Sequence, residues 1–290
     1  MSVLMLTRRS ALASFAAIVA NPRSLFAHSN DLSATLAALE TRSKGRLGVS
    51  IVFPSGERMT HRGDERFAMC STFKFLAATI VLKRVDTGKE HLDRAIRFTK
   101  ADLVSYSPET EKHVGEGHMT VAELCKAMLT QSDNTAANLL LASFGGPPAV
   151  TAFVRSIGDK VTRLDRNETS LNEGTPGDPR DTTTPDAMVG NLKRILFGNV
   201  LKPASLQQLT DWMLANTTGK TKFVAGLPPT WKVADKTGAG DHGSNNDIGV
   251  LYPPAGKPIL IASYITESPL TTEEKNAIHA EVARAIAAGV

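Results

Sequence analysis

Asp247-Ile-Gly-Val-Leu-Tyr-Pro-Pro-Ala-Gly-Lys-Pro-Ile-Leu-Ile-Ala-Ser-Tyr-Ile-Thr266 reads as two strands, 247–252 and 258–266, joined by the turn Pro253-Pro254-Ala255-Gly256. A third strand, 232–236, precedes them. At the other end of the chain, 46–53 and 57–62 read as two more strands around Pro54-Ser55-Gly56. Neither end has enough strands for a stable sheet alone. The simplest solution pairs them into one five-stranded antiparallel sheet. Two terminal helices are available to cover it. One spans 30–43, with Leu32, Leu36 and Leu39 at helical spacing. The other opens on the capping box Thr271-Thr-Glu-Glu274 and runs to about residue 288.

Between residues 71 and 215 nearly every signal is helical. Residues 71–85 are apolar at helical spacing, Thr120-Val-Ala-Glu123 is a second capping box, and Pro185 and Pro203 stand in first helical turns. Residues 163–184 hold no apolar period and form a long loop, a length that is usually functional or disordered. The expected fold is therefore α+β with two lobes. Residues 28–65 and 215–290 make the sheet lobe, with its flanking terminal helices. Residues 66–214 make an inserted all-helical lobe that includes the loop 163–181. The cleft between lobes is the expected active site.

The 290 residues are 42% hydrophobic and 21% charged, values that exclude a disordered or collagen-like chain. No apolar run of transmembrane length occurs, so no membrane anchor is expected. The net charge of +4 comes mostly from the first residues. Removing Arg8, Arg9 and Arg23 leaves 30 basic against 29 acidic residues, which implies no nucleic-acid partner. Thr7-Arg8-Arg9-Ser10-Ala11-Leu12, an apolar stretch to Ala20 and the small Ala27 are ordered like a bacterial export signal of twin-arginine type. Residues 1–27 are expected to be removed near Ala27, placing a monomer in the periplasm. Cys70 and Cys125, the two cysteines, are expected to be free and buried.

Four segments carry chemistry. Ser71-Thr-Phe-Lys74 puts a lysine on the same helix face as a serine, which needs a nearby base to act as a nucleophile. A helix start also offers backbone N–H groups to a developing oxyanion. Ser132-Asp133-Asn134 lies between helical stretches, and Lys236-Thr237 stand on a strand followed by Gly238, where they can hold an anion while the glycine lets a ligand approach the backbone. Glu168-Thr-Ser-Leu-Asn172, in the long loop, supplies a carboxylate and an amide able to hold a water between them. Each segment alone reads equally as a helix cap, a turn or a solvated loop.

In this order and at these separations the four segments resemble the class A serine β-lactamases. The resemblance runs from about residue 30 to 288, through Arg163-Leu-Asp-Arg-Asn-Glu168 and Pro176-Gly-Asp-Pro-Arg-Asp-Thr-Thr-Thr184. It implies hydrolysis of penicillins and cephalosporins through an acyl-serine intermediate, giving resistance to β-lactam antibiotics, with no cofactor and no metal. It also implies the roles. Ser71 attacks the lactam carbonyl, with the N–H groups of Ser71 and Ala239 as oxyanion hole. Lys74, or Glu168 acting through water, is the acylation base. Ser132 passes a proton to the lactam nitrogen, and Glu168 with Asn172 activates the deacylating water. Asn134 holds the side-chain amide, Lys236 and Thr237 attract the carboxylate, and Tyr106 walls the cleft. Arg166 and Asp181 match the ion pair that pins the loop.

This chain departs from the family pattern at several places. Ser244-Asn245-Asn246 stands where many members have an arginine, and Lys222 matches the position of a substitute arginine. A lysine there supplies a point charge rather than a fork. Thr169 stands where a cis-proline is common, leaving that bond either cis or trans. Gly240 stands where carbapenem-hydrolysing members pair a cysteine with one like Cys70, so carbapenem hydrolysis is not the expectation. A D-Ala-D-Ala peptidase shares Ser-x-x-Lys and Lys-Thr-Gly but lacks the loop glutamate, and a penicillin sensor that stays acylated would usually be tethered to a membrane, for which no transmembrane run is seen. The seven histidines form no ligand cluster, which argues against a zinc hydrolase.

Overall fold

A computed structural model describes residues 22–289, with side chains from residue 31 onward. The twin-arginine segment and its apolar stretch lie outside the described residues. Helix α1 spans Pro22–Ser43, β1 Arg46–Val52 and β2 Arg58–His61. At the other end come β7 Lys232–Ala239, β8 Asn245–Tyr252, β9 Ile259–Thr266 and α9 Thr272–Ala287. The five strands form one antiparallel sheet in the order β2-β1-β9-β8-β7. The two ends of the chain meet at β1–β9, where Arg46 lies opposite Thr266.

All eight residues of β9 are buried, because the central strand is covered on both faces. Ile259, Ile261 and Ile265 pack with Leu32, Leu36 and Leu39 of α1 and with Ile278, Val282 and Ile286 of α9. Leu260, Ala262 and Tyr264 point the other way, into the larger core. That core includes Met188, Val189 and Leu192 of α6, Pro185–Phe197. The period-2 alternation assigns one residue set to each face.

The middle of the chain holds α2 Phe73–Asp86, α3 Val121–Thr130, α4 Asn134–Phe144, α5 Pro147–Ser156, α6 and α7 Pro203–Leu214. The first ten residues of α2, Phe73 to Leu82, are all buried, which marks it as the axis of this region. Thr120 and Glu123 close a capping box on α3, as Thr271 and Glu274 do on α9. Gly145, at φ 108°, ends α4 in the left-handed region, and Pro147 starts α5 directly after.

The two-lobed α+β class holds, but the middle is not purely helical. β3 Phe67–Ala68 pairs with β6 Thr182–Thr183, and β4 Ala95–Arg97 pairs with β5 His118–Thr120. These strands are two or three residues long, too short to show a period in sequence. A short helix, α8 Phe223–Gly226, also went unread. Among the described residues no single helix is long and apolar enough to cross a membrane.

Candidate active site

Ser71 sits in a 3₁₀ turn, Cys70–Thr72, that runs straight into α2. Three helical positions later, the ammonium of Lys74 returns to the serine. Lys74 Nζ lies 2.9 Å from Ser71 Oγ, 2.9 Å from Glu168 Oε1, 2.6 Å from Asn134 Oδ1 and 2.7 Å from the Ser132 carbonyl. Ser132 Oγ is also within reach, at 3.3 Å. An ammonium has three protons, so these five oxygens compete for them. Burial pushes the Lys74 pKa down, while the nearby Glu168 carboxylate opposes the shift. Ser71 Oγ donates to Glu168 Oε1 at 3.2 Å. The serine hydroxyl therefore touches both groups able to take its proton.

Asp133 caps α4 and does more than the cap requires. It accepts the N–H groups of Ala136, Glu109 and Thr110. Asn134 adds two bonds to the same segment, from its N–H to the Tyr106 carbonyl at 3.0 Å and from Nδ2 to the Ser105 carbonyl at 2.8 Å. The segment carrying Tyr106 is thus fixed against α4, and Tyr106 itself stands 60% exposed at the mouth.

On the opposite wall, β7 carries Lys236, whose Nζ donates to Ser132 Oγ at 3.0 Å and to the Thr237 carbonyl at 2.8 Å. Burial, and then the Lys74 charge, push the Lys236 pKa well down. Thr237 Oγ1 is 2.5 Å from Thr218 Oγ1. Two glycines let this strand approach. A Cβ on Gly238 would lie 2.8 Å from the Met69 carbonyl, and one on Gly240 2.4 Å from the Asn172 carbonyl. Asn246 Nδ2 donates to the carbonyls of Ala68 and Met69, tying β8 to the turn before Ser71.

The third wall is the irregular segment between α5 and α6. Asn172 Nδ2 donates to Glu168 Oε2 at 2.6 Å, and Asn172 Oδ1 is a buried acceptor with no protein donor. Asp181 accepts the N–H groups of Asp165 and Arg166, and Arg166 Nε at 2.5 Å. Arg166 also reaches Glu173. The Glu168–Thr169 bond is cis, which resolves the alternative left open by Thr169.

The cavity enclosed by these walls measures about 400 Å³ and is lined by Ser71, Tyr106, Ser132, Asn134, Asn172 and Thr237, with Ala239 and Lys222. Lys74, Glu168 and Lys236 lie directly behind this lining, each in hydrogen-bond contact with Ser71 or Ser132. Lys222 is not a surface lysine. It is 4% exposed, donates to the Asn246 carbonyl at 2.7 Å, and burial lowers its pKa to about 8. Asn245, in the Ser244–Asn246 stretch that lacks the arginine, bonds Asn276, which in turn bonds Thr221. Cys70 and Cys125 are free and buried, and burial pushes the Cys70 thiol up to about 12.

Two contributors went unread in the sequence. Asn138 Oδ1 accepts the Glu168 N–H at 2.9 Å, and its Nδ2 donates to the Glu168 carbonyl at 2.8 Å. Its only sequence signal is its position four residues after Asn134, on the same helix face. Asn246 has no local signal, because its partners lie more than 170 residues away.

Comparison with known proteins agrees over nearly the whole described chain. The model of the "Beta-lactamase enzyme family" matches residues 31–290. Beta-lactamase CTX-M-8 of Citrobacter amalonaticus is 47% identical over 266 residues, 91% of each protein. Beta-lactamase OXY-1 of Klebsiella oxytoca is 44% identical over 286 residues, 98% of each. Among solved structures, an ancestral class A β-lactamase superposes with a TM-score of 0.88 at 59% identity, covering 89% of this chain and 100% of that one. A putative class A β-lactamase from Rhodopseudomonas palustris gives 0.88 at 54% identity, covering 90% and 100%.

Proposed function

From the premise that this chain belongs to the class A β-lactamases, enzymes that hydrolyse penicillins and cephalosporins through an acyl-serine and so give β-lactam resistance, we propose how its residues divide the work. Ser71 Oγ attacks the lactam carbonyl as its proton leaves toward Lys74 or, through a water, Glu168. The N–H groups of Ser71 and Ala239 receive the oxyanion; one such donor contributes about 3–4 kcal/mol to the transition state. The C–N bond breaks as Ser132 gives its proton to the nitrogen, and Lys74 or Lys236 refills it. Glu168 and Asn172 then hold the water that cleaves the ester. Lys236, Thr237 and Lys222 bind the substrate carboxylate, Asn134 its side-chain amide, and Tyr106 flanks it. No cofactor enters this scheme. The exported monomer acts in the periplasm after cleavage near Ala27, and the chain divides into the sheet lobe 28–65 with 215–290 and the inserted lobe 66–214.

The observation that carries this reading is the single serine oxygen within hydrogen-bond distance of both Lys74 Nζ and Glu168 Oε1. Intact-mass spectrometry with excess benzylpenicillin, with the drug followed in the same tube, tests it. Drug loss with a transient adduct, or with none, is expected. A stoichiometric adduct that persists while free drug remains would remove Glu168 from the water's activation and favour a peptidase or sensor.

A further inference from the structure

Thr218 lines the cavity beside Thr237 and takes no part in the reaction described above. The segment that carries it follows α7 and is tied down by its neighbours. The N–H and the hydroxyl of Thr217 both donate to the Thr130 carbonyl at the end of α3, at 2.9 and 2.8 Å. Asn216 Nδ2 donates to Asp235 Oδ2 at 2.8 Å, which fixes the amide with Oδ1 toward Thr218. That oxygen accepts the Thr218 N–H at 3.0 Å and the Thr218 hydroxyl at 2.8 Å. Thr218 Oγ1 also stands 2.5 Å from Thr237 Oγ1. The backbone of Thr237 is held in turn by Lys236 Nζ, which donates to its carbonyl at 2.8 Å.

A hydroxyl has one proton and two lone pairs. While the Thr218 proton lies on Asn216, Thr237 is the donor across the 2.5 Å contact and turns only lone pairs toward the cavity. A carboxylate accepts and cannot donate, so this arrangement repels it. Turning both hydroxyls removes the conflict. Thr218 then donates to Thr237, and Thr237 donates to the carboxylate. Asn216 Oδ1 keeps the Thr218 N–H and is not left unpaired. We propose that Thr218 is a positioning residue for the substrate carboxylate: its hydroxyl turns from Asn216 to Thr237 when the β-lactam binds, and so makes Thr237 a donor. This rests on the reading of Thr237 as a carboxylate-binding residue.

The consequence falls on the complex rather than on the free enzyme. Thr237 is 6% exposed, at the wall of the cavity. In the open cavity, solvent can pair with its hydroxyl with or without Thr218. Bound substrate excludes that solvent, and Thr218 is then the group in place to donate to the Thr237 oxygen. Hydrogen bonds in such a chain also strengthen one another. The carboxylate keeps its charge throughout the reaction, so its binding is alike in the ground and transition states. The effect therefore belongs to KM and not to kcat.

Steady-state kinetics on benzylpenicillin tests the relay. Thr218→Val keeps the shape of the side chain and removes its hydroxyl. KM should rise about fivefold, the worth of one net hydrogen bond, with kcat little changed. Thr218→Ser restores the hydroxyl and should restore KM. In a Thr237→Val background, Thr218→Val should have no further effect, since the relay has lost its end. An unchanged KM in Thr218→Val, a failure of Thr218→Ser to rescue, or an equal rise in both backgrounds would overturn the positioning role. If Thr218→Val does not fold, Thr218→Ala against Thr218→Ser gives the same comparison. The methyl ester of benzylpenicillin separates the two failures. Thr237→Val should lower kcat/KM more for the acid than for the ester. An equal loss on both would overturn the reading of Thr237, and the relay with it. A loss selective for the acid in Thr237→Val, beside an unchanged KM in Thr218→Val, would overturn the relay alone.

Discussion

Ser71, Lys74 and Lys236 sit on or beside α2 and β7, where the hydrogen bonds of a helix and a sheet set their positions. Glu168 and Asn172 sit between α5 and α6 on a segment that is irregular apart from one 3₁₀ turn, Ser170–Asn172. That segment is held by side chains. Asn138 clamps both polar groups of the Glu168 backbone, and Asp181 gathers two N–H groups and the Arg166 guanidinium. A ladder of backbone bonds survives the loss of any one side chain, whereas a clamp made by one side chain does not. The half of the site that forms the acyl-enzyme should therefore tolerate mutation better than the half that hydrolyses it.

The largest effect should follow from Glu168→Ala. Deacylation should fall by about 10²–10⁴-fold, the usual worth of a general base, and intact mass should show acyl-enzyme accumulating. Unchanged turnover in that variant would sink the proposed role. Asn138→Ala tests the clamp itself. It leaves the Glu168 N–H and carbonyl without partners, at a cost of about 1–3 kcal/mol in chemical unfolding. Displacing the carboxylate by about an ångström can slow deacylation by about 100-fold. If acylation fell equally in stopped-flow traces, the two halves would not be mechanically separate.

Lys222→Ala belongs to the other half and should leave deacylation alone. Losing one charged hydrogen bond to the substrate should raise KM about tenfold or more. Lys222→Arg would sharpen the contrast, since a fork can grip the carboxylate where the ammonium only attracts it. Asp181→Asn should destabilise the fold by about 2 kcal/mol and slow deacylation more than acylation, because it loosens the loop ends and leaves α2 and β7 in place.

The smallest effect concerns acid. His279 joins α9 to the sheet through Ser263 Oγ at 2.8 Å and the Asn245 carbonyl at 3.1 Å. Burial, then the Lys222 charge, push its pKa well down. Above the unfolded value of about 6.5 the ring is neutral in both states, and its bonds contribute fully. As pH falls below that value, the unfolded chain takes up a proton that the folded chain resists. Stability should then drop by up to about 1.4 kcal/mol per pH unit, and Tm scans of His279→Gln should show a shallower acid slope.

How much was legible varied from segment to segment for physical reasons. Capping boxes at Thr120 and Thr271 act within four residues, so their sequence states their structure. The alternation of β9 names both its faces at once, since side chains on a strand point up and down in turn. Ser71 and Lys74 are three residues apart on one helical run, and that spacing alone makes them neighbours. Strands of two residues such as β3 and β6 carry no period, and pairing partners more than 100 residues away make them strands. Lys222 could be read as a surface lysine until the fold placed it under the sheet, and its lowered pKa follows from that burial.

Local chemistry thus announced the caps, the strands and the Ser71–Lys74 pair, because each depends on neighbours within one helical turn or one pleat, while the roles of Ser71 and Glu168 came from the resemblance of the four segments taken together. Two things waited for the folded chain: the clamp of Asn138 on Glu168 and the tie of Asn246 to Met69. In each, two polar groups far apart or on different elements share a hydrogen bond, and only packing determines which polar groups are taken out of water together.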